Sequence, residues 1–594
     1  MAVRTLSDLY RAAVAHDKPD CLLHKVDGAY QPISTHELAI WVRSLACALD
    51  RWGVEPGDRV ALMAENGPHW PTIDFAALAL GAASVPVYAT LLPEGAAYVV
   101  RDSGARVLFV QGRERLEGLL AIRDQMPSVE RVVAIGVDSP PEGVATIESA
   151  LAEGACVEEA EFDRWLGRAR PGDLATLIYT SGTTGDPKGV MLTHGNLASN
   201  AVACAGILPM KPHWRALSFL PLAHSFERTI DYVFFLTGVS IAYAESVQTV
   251  AENLLEVRPH VFGSVPRIYE KVRGKVLENV ASTGGLKARL FHWALATGMK
   301  SLAGRLAFED PGLRLRIADR LVFSKVRARL GGRFEYAVSG GAPLGKEFAE
   351  FFWAAGIPLL EGYGLTETSP VIAVNTPDAV RLGTVGRPIP GVEVRIADDG
   401  EILARGPNIM RGYFNQPEAT AEAIDDDGWF HTGDIGGVDA DGFLSITDRK
   451  KEIIVNAYGK NLAPAPIENA LKSGRWIAQA VVVGDRRPFL VALVVPNFES
   501  LGPWAKARGI GGGPEQWVAD ERVQSLIQEE IDRVNADGER YEQIRAFELL
   551  PRELTLEEGE ITPTLKVKRR VVHERYGDLL ERLYRDSAEA QTRR

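Results

Sequence analysis

Hydrophobic residues recur along the first 110 positions with two alternating periods, one typical of helices and one typical of strands. Residues 35–52 carry apolar side chains at helical spacing, and Ser34 followed three residues later by Glu37 is a capping-box pattern. Short apolar runs such as Arg59–Met63 predict strands. Because strands and helices alternate, we expect βαβ units and a largely parallel sheet with helices on its faces. Ligands of such folds bind at the carboxyl ends of the strands.

One apolar run of this kind, residues 174–179, changes abruptly into small hydroxyl residues and glycines. Glycines allow the backbone to fold tightly and bring its N–H groups close to a ligand, and the hydroxyls add short donors. A lysine follows within reach, as a point charge suited to phosphate oxygens. The pattern predicts a polyphosphate-binding loop that comprises Thr180, Ser181, Gly182, Thr183, Thr184, Gly185 and Lys188.

The spacing in this loop differs from that of a Walker A motif, which needs four residues between its first glycine and Gly-Lys-Ser/Thr. Gly182 and Gly185 lie too close together, Pro187 precedes the lysine, and Gly189 follows it. The alternative is a flexible surface turn, which is what most Ser/Thr/Gly clusters form. The coincidence of strand, loop and lysine favours nucleotide phosphate binding.

A second candidate ligand loop combines glycines with an aromatic ring. Gly362 and Gly364 free the backbone on both sides of Tyr363, whose ring can stack on a base. Thr366 offers a hydroxyl to phosphate, and Glu367 offers a hard oxygen ligand to Mg²⁺. Taken singly, these features also fit an ordinary glycine turn with a packed tyrosine. Together they predict a second nucleotide-contacting loop, which comprises Glu361, Gly362, Tyr363, Gly364, Thr366 and Glu367.

Three further stretches carry candidate chemistry. His224 and Phe226 follow an apolar strand ending in Pro-Leu-Ala, and we interpret His224 as a substrate contact in a pocket wall, although a lone histidine is more often structural. Asp434 follows a glycine, and its carboxylate can accept both ribose hydroxyls or cap a turn. Five consecutive charged residues beginning at Asp448 separate two apolar strands and indicate a solvated connector, whose connecting role is itself a candidate function.

Composition restricts the class of protein. A chain of 594 residues is too long for one ordinary core, and 46% apolar with 24% charged residues is typical of a soluble globular protein. The formal net charge of -12 argues against general nucleic-acid binding. Four scattered cysteines without a CxxC pair indicate reduced thiols and no zinc site. No signal-peptide pattern or convincing transmembrane run is present, so we expect a cytoplasmic protein.

Charge is unevenly distributed, because residues 271–333 are strongly basic within an acidic chain. This predicted helical segment holds fourteen lysines and arginines against four carboxylates, a local balance of +10. One interpretation is a solvated helical face. The other is attraction to a polyanionic cofactor or to an anionic membrane surface, which would place the protein peripherally at the inner face of the membrane.

These motifs, in this order, resemble the adenylate-forming (ANL) superfamily, and the chain looks most like its long-chain fatty acyl-CoA synthetases (AMP-forming). The resemblance covers essentially the whole chain and includes the basic helical insert. It implies an α/β fold with a large N-terminal AMP-binding domain of parallel-rich sheets packed with helices, residues 1–447. It also implies a small mobile α+β C-terminal domain, residues 448–594, with its hinge at Asp448. The motifs that carry it are Tyr179-Thr-Ser-Gly-Thr-Thr-Gly-Asp-Pro-Lys-Gly, Gly362-Tyr-Gly-Leu-Thr-Glu, Thr432-Gly-Asp and Asp448-Arg-Lys-Lys.

The resemblance implies a two-step ligase that uses ATP, Mg²⁺ and coenzyme A. A fatty acid carboxylate attacks the α-phosphate of ATP and gives acyl-AMP and pyrophosphate. The thiol of coenzyme A then attacks the mixed anhydride and releases AMP. Positioning and charge stabilisation should supply most of the catalysis in the first step. The alternatives are a fatty acyl-AMP ligase that hands the adenylate to a carrier protein, and a non-catalytic nucleotide-binding relative.

The resemblance also implies roles for individual residues. The loop of residues 180–188 would hold the β- and γ-phosphates, and Asp434 and Arg449 would hold the ribose hydroxyls. Thr366 would contact the α-phosphate and Glu367 would bind Mg²⁺. The adenine site would be lined by Gly341, Ala342 and Tyr363.

The remaining roles concern the acyl group and the moving domain. His224 and the walls around Arg267 would belong to the acyl pocket and its gate. Lys566 would bridge carboxylate and α-phosphate during adenylation and then swing away. Many relatives have Ser-Gly before this lysine, whereas this chain has Thr564-Leu565, so Lys568 stays an alternative.

Overall fold

A computed structural model describes residues 2–155, 158–180, 187–307, 310, 312–458, 460–539, 542–555, 558–562 and 567–592. Several predicted site residues lie outside the described residues, namely Ser181, Gly182, Thr183, Thr184, Gly185 and Lys566. Within the described part of the chain, no helix has the length and hydropathy needed to cross a bilayer.

The chain up to the charged run at Asp448 alternates strands and helices. Its strands are β1 (Leu22–Val26), β2 (Ala29–Ile33), β3 (Arg59–Met63), β4 (Ala83–Val87), β5 (Val107–Gln111), β6 (Arg131–Ile135), β7 (Ala145–Thr146), β8 (Leu174–Thr180), β9 (Lys188–Thr193), β10 (Arg215–Ser218), β11 (Ser240–Tyr243), β12 (Val261–Ser264), β13 (Tyr336–Ser339), β14 (Leu359–Gly364), β15 (Val371–Val374), β16 (Arg387–Pro388), β17 (Glu393–Ile396), β18 (Glu401–Arg405), β19 (Gly412–Tyr413), β20 (Phe430–Val438) and β21 (Leu444–Arg449). Its α-helices are α1 (Leu6–Val14), α2 (Thr35–Arg51), α3 (His69–Ala79), α4 (Pro93–Ser103), α5 (Arg113–Ala121), α6 (Ile147–Glu153), α7 (Glu159–Leu166), α8 (His194–Ile207), α9 (Ser225–Thr237), α10 (Val250–Val257), α11 (Pro266–Thr283), α12 (Gly285–Lys300), α13 (Leu302–Leu306), α14 (Gly312–Ala318), α15 (Ser324–Ala328), α16 (Lys346–Ala354) and α17 (Pro417–Ala423).

Two large sheets dominate this part of the molecule. One has the strand order β16-β15-β14-β13-β12-β10-β11-β1-β2 and is parallel from β14 to β1. The other has the order β19-β9-β8-β4-β3-β5-β6-β7 and is parallel from β8 to β7. A smaller antiparallel sheet has the order β17-β18-β20-β21. The predicted α/β fold with parallel-rich sheets is confirmed.

Local sequence signals predicted several elements correctly. Helix α2 begins at Thr35, and its N-cap Ser34 forms the predicted capping box with Glu37. The uncharged run after residue 75 is the end of α3 followed by β4. Ten of the eleven residues of α3 are buried, which explains why this helix lacks a polar face.

A buried ionic network ties α9, the helix between β10 and β11 of one large sheet, to β4 and β8 of the other. Arg228 of α9 donates to Asp74 of α3 at 2.5 Å and to the hydroxyls of Thr176 in β8 and Ser84 in β4. Tyr232, one turn further along α9, donates to the second carboxylate oxygen of Asp74. Arg228 and Asp74 are each 1% exposed, so the network anchors α9, whose N-terminus faces the site described below, inside the fold.

The chain after Asp448 has hydrophobic clusters of its own, formed by residues from Ile454 onwards. A sheet formed by Ile477–Val483, Leu490–Pro496 and Ile544–Leu549 lies at its centre. A separate core is typical of an independent domain, and the boundary at Asp448 stays a prediction. The strands are β22 (Ile454–Val455), β23 (Asn461–Leu462), β24 (Ile477–Val483), β25 (Leu490–Pro496) and β26 (Ile544–Leu549), and the helices are α18 (Pro464–Lys472), α19 (Phe498–Ala507), α20 (Pro514–Ala519), α21 (Glu521–Asp537), α22 (Arg569–Arg575) and α23 (Gly577–Thr592).

Candidate active site

The carboxyl ends of three neighbouring parallel strands place polar residues in one row. Ser264 of β12 lies opposite Ser339 of β13, which lies opposite Glu361 of β14. All three are buried, and the Ser339 hydroxyl and Glu361 Oε1 have no hydrogen-bond partner among the described residues. Buried polar groups are normally paired, so these atoms indicate a position that a ligand or water completes. The row lies where parallel sheets bind ligands.

Glu361, a predicted nucleotide-site residue, is a buried carboxyl group without a cationic partner among the described residues. Burial raises the pKa of Glu361 to about 8, so the group is mostly protonated at neutral pH. A protonated carboxyl can donate one hydrogen bond as well as accept others. Glu361 can therefore contact a donor or an acceptor on a bound ligand.

The turn after β13 carries the predicted adenine-site residues Gly341 and Ala342, both half-buried. Gly341 has a φ of +78°, which L side chains rarely adopt. A Cβ atom on the preceding Gly340 would lie 2.8 Å from the ring of Phe226. The two glycines therefore let this turn pass close to the start of α9.

The N-terminus of α9 meets the second predicted ligand loop. Strand β10 ends at Ser218, earlier than the predicted strand, and His224 is the N-cap of α9, accepting the N–H of Phe226 at 3.1 Å. Ser225 Oγ lies 3.2 Å from Thr366 Oγ1, and both residues are buried. A helix N-terminus favours anions, so a phosphate at Thr366 would also gain from the dipole of α9. Ser225 was not predicted as a site residue from the sequence, because its only signal was its position directly after His224.

Tyr413 links two predicted phosphate-site residues that are far apart in the sequence. Its hydroxyl donates to Glu367 Oε1 at 2.9 Å, and the Lys188 ammonium lies 4.8 Å from the centre of its ring. The β8–β9 hairpin pairs Thr180 with Lys188 at the base of the predicted phosphate loop, and β19 places Tyr413 opposite Val190. The sequence analysis did not identify Tyr413, because no local spacing marks it.

The described residues contain no cluster of three or more histidine, cysteine or acidic side chains that could hold a metal ion by themselves. Mg²⁺ is usually bound through one or two carboxylates together with substrate phosphates. Glu367, whose carboxylate accepts the Tyr413 hydroxyl, fits that mode of binding.

A third group brings together the residues expected to hold ribose. Asp434 in β20 lies opposite Arg449 in β21, and Arg449 Nε is 3.0 Å from Asp434 Oδ1. The Tyr363 hydroxyl donates to Asp434 Oδ2 at 2.6 Å. Burial, followed by the charge of Asp434, raises the pKa of Tyr363, so its hydroxyl stays protonated. Three residues predicted from separate motifs thus form one connected polar group, in which Tyr363 and Asp434 are buried and Arg449 is partly exposed.

The predicted hinge residue Asp448 lies near the end of β21. One carboxylate oxygen accepts the N–H of Arg449 at 2.6 Å, and the other is buried without a partner among the described residues. The pKa of Asp448 is raised to about 6, mainly by burial and also by the charges of Glu452 and Glu468, while the hydrogen bond from the Arg449 N–H and the charge of Arg569 lower it. The Asp448 carboxyl therefore titrates about one pH unit below neutrality.

Arg267, predicted near the acyl pocket and its gate, contacts the C-terminal part of the chain. Its guanidinium donates to the carbonyl of Ala478 at 2.7 Å and lies 3.5 Å from the Glu553 carboxylate. Arg273, one and a half turns further along α11, donates to the carbonyl of Ser473 at 2.9 Å. The beginning of the basic segment therefore forms part of the contact between the two parts of the chain.

Comparison with models of protein families shows to which family the chain belongs. The family model described as AMP-binding enzyme matches residues 10–414, and the model for the AMP-binding enzyme C-terminal domain matches residues 451–588. The chain belongs to the AMP-binding enzyme family. The predicted resemblance to adenylate-forming enzymes is confirmed.

Curated relatives match this AMP-binding enzyme over nearly its whole length. Long-chain-fatty-acid–CoA ligase FadD15 of Mycobacterium bovis is 39% identical over 96% of this chain and 95% of its own. Human long-chain-fatty-acid–CoA ligase 1 is 32% identical over 96% of this chain and 85% of its own. The crystal structure of the adenylation domain of a carboxylate reductase from Mycobacterium chelonae shares the fold, with a TM-score of 0.79 and 24% identity over 98% of this chain and 91% of that one.

We expect Tyr413→Phe to weaken ATP binding by this AMP-binding enzyme about tenfold or more. The change removes the hydrogen bond to Glu367 and keeps the ring beneath Lys188, and a hydrogen bond to a charged group contributes about 1.5–3 kcal/mol. Calorimetric titration with ATP and Mg²⁺ measures the effect without turnover. Tyr30→Phe, which removes a hydroxyl of the edge strand β2 that donates to the carbonyl of Tyr243 in β11, is the matched control. Equal ATP affinity of the Tyr413→Phe and wild-type proteins would contradict the assignment.

We expect the stability of this AMP-binding enzyme to depend on pH through Asp448. Because its folded pKa is raised, the stabilising contribution of the neutral form is complete below the unfolded value near 4 and is lost as the pH rises through about 6. Asp448→Asn, which cannot ionise, should therefore become more stable than the wild type between pH 4 and pH 7, by up to about 2–3 kcal/mol. Calorimetric melting profiles across that range measure the difference. Parallel profiles would show that Asp448 does not titrate there.

Proposed function

We propose that this AMP-binding enzyme is a long-chain fatty acid–CoA ligase. The observation that carries the proposal is the match to curated ligases of that name, at 39% identity to the relative from Mycobacterium bovis over almost both full chains. The assembled site supports it, because Tyr363, Asp434 and Arg449, which were predicted from separate motifs, lie within hydrogen-bonding distance of one another.

In the first step, a carboxylate oxygen of the fatty acid bonds to the α-phosphorus of ATP, and pyrophosphate leaves with the bonding electron pair. Asp434 and Arg449 hold the ribose, and Tyr363 keeps the Asp434 carboxylate in place. Thr366, supported by Ser225 and the N-terminus of α9, contacts the α-phosphate. These groups orient the reactants and stabilise developing charge, which is the main requirement of such transfers.

The negative charge of the ATP phosphates in this site would be neutralised by a lysine and by Mg²⁺ held at a carboxylate. Lys188 supplies a cation to the β- and γ-phosphates, and Glu367 would hold Mg²⁺ together with the phosphate oxygens. Bound Mg²⁺ supplies charge neutralisation at those oxygens. Tyr413 connects the two residues and so couples the position of the carboxylate to that of the lysine.

In the second step, the sulfur of coenzyme A bonds to the acyl carbon, AMP leaves with the bonding electron pair, and the thiol proton is released. The adenylate is needed because a free carboxylate is a poor acyl donor. Asp448 would act as the hinge that reorients the C-terminal domain between the two steps. Peripheral contact of the basic segment with an anionic membrane is part of this proposal, since long-chain fatty acids partition into lipid.

The experiment that tests the proposal is a panel of fatty acids with ATP and Mg²⁺, with and without coenzyme A. Release of AMP and formation of thioester are both followed. Thioester that depends on coenzyme A and peaks on long chains supports the ligase. Adenylate that accumulates regardless of coenzyme A would replace this proposal with a fatty acyl-AMP ligase. ATP binding without any product would favour a non-catalytic relative.

A further inference from the structure

Exposed large apolar side chains are concentrated in one short stretch of the chain. Sixteen such residues occur among the described residues, and seven of them lie between positions 286 and 321. Leu286 and Leu313 are 82% and 75% exposed. Single exposed apolar residues are normal on a protein surface, whereas a concentrated group of them marks an interaction site.

The helical positions of these residues place them on shared faces. Leu286, Leu290 and Trp293 follow an i, i+4, i+7 spacing on α12, while Phe291 and Ala294 on another face of the same helix are buried. The residues of α14 follow the same i, i+4 spacing, continued into the π-helical turn that comes next, and α12 packs against α14. We call this set the apolar ridge, which comprises Leu286, Leu290, Trp293, Leu313, Ile317 and Leu321.

Positive charge accompanies the apolar ridge on the same helices. Two acidic residues are described here, and both are paired: Asp310 with Arg316 and Asp319 with Arg327, each at 2.6 Å. The surface is therefore apolar and cationic, although the whole chain carries a net charge of -12. The exposed basic residues are Lys287, Arg289, Lys300, Arg314, Arg316 and Arg320.

The combination of exposed apolar and basic residues favours a lipid surface over a protein partner. The centre of a protein–protein interface is depleted of charged residues as a group and of lysine in particular, whereas arginine is enriched there. Helices that carry exposed apolar residues beside lysine and arginine are typical of the boundary between lipid headgroups and acyl chains. Each basic side chain near an anionic leaflet adds attraction, and apolar side chains add the burial that charge alone does not supply.

We propose that the apolar ridge inserts into the interface of an anionic lipid bilayer while the surrounding lysines and arginines contact the headgroups. The purpose of this contact rests on the proposed function, because it would hold the enzyme at the phase that contains its fatty acid substrate. The binding itself requires no catalysis and can be measured separately.

The test uses the full-length protein and vesicles of phosphatidylcholine with or without phosphatidylglycerol. The ridge variant is Leu286→Gln/Leu313→Gln, and the matched control is Leu92→Gln/Leu255→Gln, whose leucines are 75% and 51% exposed outside the insert. We expect the ridge variant to bind anionic vesicles about 10- to 30-fold more weakly and the control to bind like the wild type. Lipids brominated near the headgroup should quench wild-type tryptophan fluorescence, and Trp293→Phe should lose most of that quenching.

Three other results would each overturn the proposal that the apolar ridge inserts into the bilayer. Equal vesicle binding by the ridge variant and the control would exclude insertion of the ridge. A ridge variant that binds normally, beside an Arg314→Glu/Arg316→Glu/Arg320→Glu variant that does not, would leave charge as the only attraction. A ridge variant that changes only the sedimentation of the protein would assign the surface to a second copy of the chain. Thioester formation from detergent-solubilised fatty acid tests the proposed function independently, because it needs no vesicle.

Discussion

Replacing Arg228 with methionine is expected to lower the free energy of unfolding by about 3–5 kcal/mol, because it leaves a buried charge without its partner. Asp74 would keep only the hydrogen bond from Tyr232, and the hydroxyls of Thr176 and Ser84 would lose the donor that they share. Methionine fills a similar volume, so the loss of stability would come mainly from the unpaired charge of Asp74 and not from a cavity. The network ties α9 to the large sheet that contains β4 and β8, so nucleotide affinity should fall as well.

Calorimetric unfolding measures the effect of Arg228→Met on the transition of the N-terminal part, because a chain with separate cores need not unfold in one step. The double variant Arg228→Met/Asp74→Asn should recover part of the loss, since it removes the unpaired charge. Arg164→Met, at a side chain that is 74% exposed, is the control and should change stability by less than about 0.5 kcal/mol. A loss below about 1 kcal/mol in Arg228→Met would show that the buried pair contributes little.

Replacing Lys566 with alanine is expected to slow formation of the acyl-adenylate about 100- to 1,000-fold, as removal of one group that stabilises developing charge does in other enzymes. The family resemblance assigns this lysine to the bridge between carboxylate and α-phosphate. Transfer of the acyl group from synthetic acyl-AMP to coenzyme A should change little, because that step does not need the bridge. Pyrophosphate release and thioester formation from synthetic acyl-AMP measure the two steps separately.

Lys568→Ala is the matched control for this variant. The two lysines are two positions apart, and the backbone N–H of Lys568 donates to the carbonyl of Glu560 at 2.7 Å, just before α22 begins. We expect Lys568→Ala to retain most of its adenylation rate. A larger loss in Lys568→Ala than in Lys566→Ala would reassign the bridging role to Lys568.

The contacts of Arg267 indicate a role between the two parts of the chain, in addition to the predicted role near the acyl pocket. Arg267 was expected near the acyl pocket and its gate, and its guanidinium donates to Ala478 in β24 of the C-terminal part. If Asp448 is the hinge, contacts such as this one must break when the C-terminal domain turns. Arg267 is therefore placed to favour one domain orientation, in addition to any role beside the acyl chain.

The sequence by itself determined the features that depend on near neighbours. The capping box at Ser34 and Glu37 and the strand Arg59–Met63 both follow from side chains a few positions apart. The ordered motifs also predicted the family, because each combines residue types at short, fixed spacing. Strand ends were less certain: β10 ends at Ser218, before the Pro-Leu-Ala that was read as its end.

Only the tertiary structure decided which distant residues meet. Tyr413 reaches Lys188 and Glu367, and Ser225 reaches Thr366, because the order of strands in two sheets brings those segments together. Local hydrophobic period indicates that a strand or helix forms but not which neighbour it pairs with. The same holds for the apolar ridge. The sequence of a helix with an apolar face does not show whether the fold covers that face or leaves it exposed.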